Sequence, residues 1–363
     1  MPARVLFVFG TRPEAIKLAP VIEELRRDPA SFDVRVCVTG QHREMLDQVL
    51  ALFGITPDFD LALMRPDQSL TDLAAGVLVE VRRVIDELAP RVVVVQGDTT
   101  SAVAAGLAAF YAGVDVAHVE AGLRSGDLSA PWPEEANRRL LSVVTRFHFA
   151  PTEEAREHLL REGARQVFVT GNTVIDALLR VPEVDLPFLT PGRRLVLVTG
   201  HRRENFGAGL ESICHALADL VRAHGDVEVV YPVHLNPHVR EPVHAILGGT
   251  ERVHLIDPVD YPAFVTLMKR STLILSDSGG VQEEAPSLGK AVLVLRDTTE
   301  RPEAVRAGNV RLVGTSRERI AAEAGALLRD PAKLAEMAQV RHPFGDGRAA
   351  GRIADALRSA ICS

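Results

Sequence analysis

The chain has 363 residues, 47% hydrophobic and 25% charged, which fits a soluble globular protein of one large or two medium domains. Its net charge of −7 and pI near 6.0 exclude a general electrostatic pull toward nucleic acid or anionic membrane, so any anion must be held by a local cluster. Cys37, Cys214 and Cys362 lie far apart, which argues against a disulfide framework or a cysteine metal centre, and no apolar run approaches the length of a membrane span.

Residues 4–9 read as a buried parallel strand. The turn Gly10-Thr11-Arg12-Pro13 leads into a helix with Thr11 as its cap and Pro13 in its first turn, and Ala15, Leu18, Ala19, Ile22 and Leu25 form the inner face. The opening apolar run is too short for a secretory leader, and a cytoplasmic enzyme is the expectation. The unit then repeats. Residues 34–38 predict a strand, 39–42 a turn and 43–53 a helix. A long amphipathic helix follows over 67–88, a strongly apolar strand over 91–96, and an alanine-rich helix to residue 112. Strands are expected at 116–119, 147–150 and 167–170, with a helix at 134–145. Cys37, Cys214, His118 and His148 sit in apolar patterns and are expected to be buried.

Residues 181–194 hold Pro182, Pro187 and Pro191 and read as a linker. A second set of strands follows at 195–199, 227–233, 253–256, 273–275 and 310–313, with a helix over 261–269. The tail, 348–361, predicts a helix that returns to the first half. Alternating strands and helices imply an α/β protein with two Rossmann-like domains facing each other across a cleft. The expected domains are 1–172, with 348–363 packing back on it, and 173–347. Neither half carries G-x-G-x-x-G after its first strand, so a nicotinamide dehydrogenase is not indicated.

The most informative stretch is 271–294: strand, Asp277-Ser278-Gly279-Gly280 turn, short helix, strand. Adjacent glycines let a ligand approach the backbone, and the free amides at a helix start favour a phosphate or diphosphate. Glu284, about one turn in, would accept hydrogen bonds from a ribose diol. A helix start closed by serine and glycine is the plainer alternative. Arg12 and Lys17 fall near the C-terminal end of the first strand, where open α/β sheets bind ligands, although two surface cations would have the same spacing. Asp98 and Glu120 each follow closely on an apolar strand. Glu134 starts a helix, either as an active-site acid or as a charge complementing the helix dipole; Glu135 beside it reads as solvent-facing or capping. Carboxylates aimed at one site suit proton abstraction and return at carbon, and Arg12, Lys17, His201 and Arg301 are the cations available to a leaving diphosphate. His201, His234 and His238 match no common metal-ligand spacing.

Ten motifs carry a resemblance to a known family: FGTRPEAIKLAP (9–20), TGQHREMLD (39–47), QGDTTSAVAA (96–105), HVEAGLRSGD (118–127), PWPEEANRR (131–139), TGNTVIDAL (170–178), TGHRRENFG (199–207), YPVHLNP (231–237), DSGGVQEEAPSLGK (277–290) and RDTTERPEAV (296–305). Together they resemble the bacterial non-hydrolysing UDP-N-acetylglucosamine 2-epimerases over nearly the whole chain. The resemblance implies a glycosyltransferase-B type fold and the interconversion of UDP-N-acetylglucosamine and UDP-N-acetylmannosamine, with no metal or nicotinamide cofactor. It implies that Arg12, His201, Ser278, Gly279, Gly280 and Glu284 hold UDP, with Phe264 and Arg301 completing the nucleotide end. It places Lys17, Asp98, Glu120 and Glu134 at the reacting sugar, with His201 also counted among the catalytic groups. It also implies a second, activating UDP-N-acetylglucosamine site at Gln41, Gln68, Arg202 and His234, and a homodimer serving cell-envelope polysaccharide synthesis. A hydrolysing 2-epimerase and a UDP-sugar glycosyltransferase are the alternatives.

Overall fold

The computed structural model describes residues 1–40, 43–65, 68–200 and 202–362, and of 43–45 and 203 the backbone only. In chain order the first elements are β1 (Ala3–Phe9), α1 (Arg12–Arg26), β2 (Phe32–Val38), α2 (Arg43–Leu52), β3 (Phe59–Asp60), α3 (Leu70–Leu88) and β4 (Val92–Gln96). Then come α4 (Thr100–Tyr111), β5 (Asp115–Val119), α5 (Glu134–Val144), β6 (Phe147–Ala150), α6 (Glu153–Arg161), β7 (Gln166–Val169) and α7 (Thr173–Arg180). The next run is β8 (Arg194–Thr199), α8 (Ala208–Ala223), β9 (Val227–Pro232), α9 (Pro237–Leu247), β10 (Val253–Ile256), α10 (Tyr261–Arg270), β11 (Ser271–Ser276) and α11 (Gly279–Glu284). The chain ends with β12 (Val292–Val294), α12 (Pro302–Ala307), β13 (Val310–Leu312), α13 (Arg317–Arg329), α14 (Pro331–Met337) and α15 (Ala349–Ile361).

Two compact units result: Met1–Arg180 with Phe344–Ser363, and Val181–Pro343. The first holds a sheet in the order β3-β2-β1-β4-β5-β6-β7 and the second a sheet in the order β10-β9-β8-β11-β12-β13. Every pairing is parallel. Each is a Rossmann-like arrangement whose strand order reverses at its first strand, between β1 and β4 in one unit and between β8 and β11 in the other. Ligands in such sheets bind outside the carboxyl ends of the strands at that reversal.

The continuous apolar character of the central strands follows from helices covering both faces. Val5 to Phe9 and Val92 to Val95 are fully buried, each large side chain contributing about 1.5–3 kcal/mol relative to exposure. The expected inner face of α1 is buried throughout, as are Cys37, Cys214, His118 and His148. Alanines on α4 let it lie close on β4 and α3. The long third helix starts at Leu70, because Ser69 caps it by accepting the Asp72 amide; the expected start at Asp67 lies outside the described residues. The sequence reading named no element at β3, nor at the helices α6 to α9 and α12 to α14.

The unit boundaries differ from those expected. Helix α7 belongs to the first unit, where it packs against α1 and α15. The return falls at Phe344, whose carbonyl accepts the Asn172 amide at 2.6 Å. Residues 181–193 carry no helix or strand, yet they are anchored to the second unit. Val184 N–H donates to Thr266 Oγ1 at 3.1 Å, Thr190 N–H to Glu228 at 3.1 Å, and Lys269 Nζ to the Val181 carbonyl at 3.0 Å. The prolines therefore mark a strap laid on the second unit.

Candidate active site

In the first unit the loops after β1 and β4 flank the strand-order reversal. After β4, Gly97 turns the chain at φ +71°, a value that side chains disfavour, and Asp98 follows at once. Asp98 is fixed from α5: Arg138 Nε donates to its carboxylate at 2.9 Å and Asn137 Nδ2 to its carbonyl at 2.8 Å. Beneath the turn, His118 Nε2 lies 2.7 Å from the Gly97 carbonyl. Burial pushes this imidazole down to about 3, so it is neutral, and Nε2 must carry the proton because a carbonyl can only accept.

At the end of β5, Glu120 takes φ +64°, strained for a residue with a Cβ and the kind of outlier that points to function. Its carboxylate accepts a hydrogen bond from Gln96 Nε2 at 2.7 Å and pairs with Lys17 of α1. Lys17, Glu120 and Asp98 thus gather at the carboxyl ends of β1, β4 and β5. Glu134 opens α5, the helix that holds Asp98, and one of its carboxylate oxygens is buried without a hydrogen-bond partner among the described residues. Such an acceptor is costly to leave unfilled. Arg12 is half-buried at the start of α1.

Glu135 corrects the sequence reading. It is fully buried, not solvent-facing, and accepts hydrogen bonds from the Ser125 amide at 2.9 Å and from Arg138 at 3.0 Å. Burial raises its carboxyl, but these partners outweigh that effect and leave it below the ordinary glutamate value. It organises the loop between β5 and α5.

In the second unit the loops after β8 and β11 flank the reversal. Thr199 and Ser276 join hydroxyls at 2.7 Å across the two strands. Asp277 is buried, and its Oδ2 accepts the Arg202 amide at 2.9 Å and Asn205 Nδ2 at 3.1 Å, tying one loop to the other. Gly279 and Gly280 open α11. A methyl group at Gly279 would lie 3.4 Å from Arg301 Cζ, so the guanidinium lies against the turn itself. Glu283 holds it there, accepting from Arg301 Nε at 2.7 Å. Gln282 ties Ser278 to Thr299 through both ends of its amide. Glu284 is nearly buried and Ser278 half-buried. Phe264 is half-buried on α10, the helix that leads into β11.

Of the proposed activating residues, Gln68 lies just before α3 and accepts the Arg65 amide. Arg202 stands on the loop after β8. His234 is exposed after β9, where its Nδ1 accepts the Asn236 amide at 3.1 Å. Gln41 and His201 lie outside the described residues. Among the described residues no three His, Cys, Asp or Glu side chains form a metal-ligand set.

The sequence reading missed Glu14, Gln96, Asn137, Arg138 and Glu283. Only Glu14 left a usable signal, standing three residues after Thr11 in the spacing of a capping box. Chemically, the first unit assembles carboxylates and a lysine suited to moving a proton. The second presents backbone amides, an arginine and a carboxylate suited to a diphosphate and a diol.

A family model described as UDP-N-acetylglucosamine 2-epimerase matches residues 23–358. The Escherichia coli (strain K12) UDP-N-acetylglucosamine 2-epimerase is 55% identical, over 98% of this chain and 98% of its own. The crystal structure of UDP-GlcNAc 2-epimerase from Neisseria meningitidis bound to UDP-GlcNAc matches with TM-score 0.89 at 48% identity, covering 98% of this chain and 99% of that one. The S. aureus MnaA–UDP co-structure matches with TM-score 0.86 at 44% identity, covering 97% and 95%. With two parallel sheets of the same reversed strand order and full-length likeness to these proteins, this chain belongs to the UDP-N-acetylglucosamine 2-epimerase family of isomerases.

Proposed function

We propose that the protein interconverts UDP-N-acetylglucosamine and UDP-N-acetylmannosamine without hydrolysis, by eliminating UDP and adding it back. A carboxylate takes the C2 proton, the C2–H electron pair forms the C1–C2 double bond of 2-acetamidoglucal, and the C1–O bond breaks to release UDP. In the return step the UDP oxygen adds to C1 and a proton reaches the opposite face of C2. The observation that carries the reading is the Lys17–Glu120 pair, held on a strained backbone at the same strand ends as Asp98. Asp98, Glu120 and Glu134 are the proton carriers, and Lys17, with His201, offsets the charge that develops. Arg12, His201, Ser278, Gly279, Gly280, Glu284, Phe264 and Arg301 hold UDP. The C2 proton is weakly acidic, so departure of UDP must be assisted by cationic and amide contacts.

Further parts of the reading are an activating site at Gln41, Gln68, Arg202 and His234, a role in cell-envelope polysaccharide synthesis, and work in the cytoplasm where UDP-sugars are made. A homodimer is supported by the exposed Val79, Phe110, Tyr111, Leu140 and Val143 on α3, α4 and α5. The test is incubation with UDP-N-acetylglucosamine in D2O, followed by NMR. A persistent mixture of two UDP-sugars with deuterium at C2 is expected. Stoichiometric free UDP would instead identify a hydrolysing enzyme. An unlabelled C2, with the sugar passed to an acceptor and UDP released only when that acceptor is added, would identify a glycosyltransferase.

A further inference from the structure

Glu14 is 1% exposed in the first turn of α1. Its Oε2 accepts two backbone amides, from Gly10 at 3.1 Å and Thr11 at 2.8 Å, and its Oε1 accepts the Thr99 hydroxyl at 2.8 Å. Thr99 Oγ1 in turn accepts the Ala102 amide at 3.0 Å and so caps α4. One carboxylate therefore joins the loop that carries Arg12 to the loop that carries Asp98, across the strand-order reversal of the first sheet. Lys17 lies three residues further along the same helix face and pairs with Glu120. We infer that Glu14 is a positioning residue for the reaction, setting the spacing between the Lys17–Glu120 pair and Asp98 by bridging the β1–α1 and β4–α4 loops.

This inference rests on the epimerase reading. A purely structural bridge would not need a carboxylate. Burial pushes the Glu14 carboxyl above its ordinary value even though hydrogen bonds from the side chains of Thr11 and Thr99 and from the Gly10 and Thr11 amides oppose it, so ionised Glu14 weighs against the fold at neutral pH. A glutamine could accept the same two amides and be buried at lower cost. Its Nε2 would then face Thr99 Oγ1 as a donor, and the Thr99 proton would have to turn elsewhere, loosening the tie between the loops. Glutamate is the residue that fixes the hydroxyl in one orientation.

The experiment compares Glu14→Gln, Glu14→Ala and Thr99→Val with the wild type by kcat, by KM, by UDP affinity in calorimetry and by thermal midpoint at pH 7. For Glu14→Gln we expect a midpoint at or above that of the wild type and unchanged UDP affinity. We also expect kcat to fall at least about 10-fold, since small misplacements of reacting groups are costly. Thr99→Val should lower kcat likewise, and the double variant should be little worse than either single one, as expected for groups acting through one contact. Wild-type kcat in Glu14→Gln, or losses that merely track the folded fraction in all variants, overturns the inference while leaving the epimerase reading intact. Failure of the wild type to exchange hydrogen at C2 overturns both.

Discussion

A carboxylate on a left-handed backbone position is expensive, and Glu120 occupies one at the end of β5. The conformation turns its side chain toward Lys17 and Gln96, a cost of about 1–3 kcal/mol that surrounding contacts must hold in place. Glu120→Gln keeps the shape and removes the charge. We expect turnover to drop by at least about 10²-fold, the lower range for a positioned acid or base, with UDP affinity retained; the comparison is steady-state kinetics against calorimetry. Glu284 belongs to the other set of groups. Glu284→Ala should weaken UDP binding by about 1–3 kcal/mol, the scale of a lost hydrogen-bonded carboxylate, and isothermal titration with UDP alone reads this directly. At this scale the sequence was informative about which charges end strands and silent about their partners. Lys17 and Glu120 were both legible as strand-end groups, yet their pairing joins positions far apart in the chain. Glu135 read as surface because it follows another glutamate on a helix, and its burial depends on the Ser125 loop folding over it.

Among the elements, α15 shows how a distant segment completes a unit. Asp176 of α7 accepts the Ala349 amide at 3.1 Å and the Ala350 amide at 2.9 Å, filling the open donors at the start of α15. Arg352 adds hydrogen bonds to the Thr170 carbonyl and to Asp346, and Gly171 lies so close to Gly345 that a methyl group on either would come within 3.1 Å of the other's Cα. Asp176→Ala should therefore destabilise the first unit by about 1–3 kcal/mol, seen as a lower denaturant midpoint and faster amide exchange in α15. A tail helix returning to the first half was expected from the sequence. The points at which the chain leaves and re-enters the unit were not legible, because they follow from the Asn172–Phe344 hydrogen bond and from α7 packing on α1. The prolines of 181–193 misled in the same way: they exclude regular structure, and they do not say whether the chain is tethered.

For the molecule as a whole, stability toward acid draws on ion pairs such as those of Arg296, whose guanidinium is buried while its carboxylate partners reach solvent. Arg296 is buried and holds Glu300 through two hydrogen bonds, at 2.9 and 3.1 Å, and Glu204 through a third. Burial alone would raise the Glu300 carboxyl, but Arg296 and a backbone amide outweigh it and bring it down to about 2. Because the folded value lies below the ordinary glutamate value of 4.5, the ionised form favours the fold. Its contribution is complete above that ordinary value and disappears as pH falls toward about 2. Glu300→Gln should thus be less stable than the wild type at neutral pH, and the gap in thermal midpoint should close progressively on acidification.

The alternation of apolar runs with amphipathic helices determined, without any coordinates, that the chain forms parallel sheets covered on both faces, and the motifs along it determined its family. Those features are local or periodic, so they survive in one dimension. The tertiary structure decided the rest: the reversal of strand order at β1 and β8, the strained aim of Glu120, the seat of Arg301 against Gly279, and the burial of Glu14, Glu135 and Glu283. Each of these depends on which distant segments become neighbours, and the pattern within any one segment leaves that choice open.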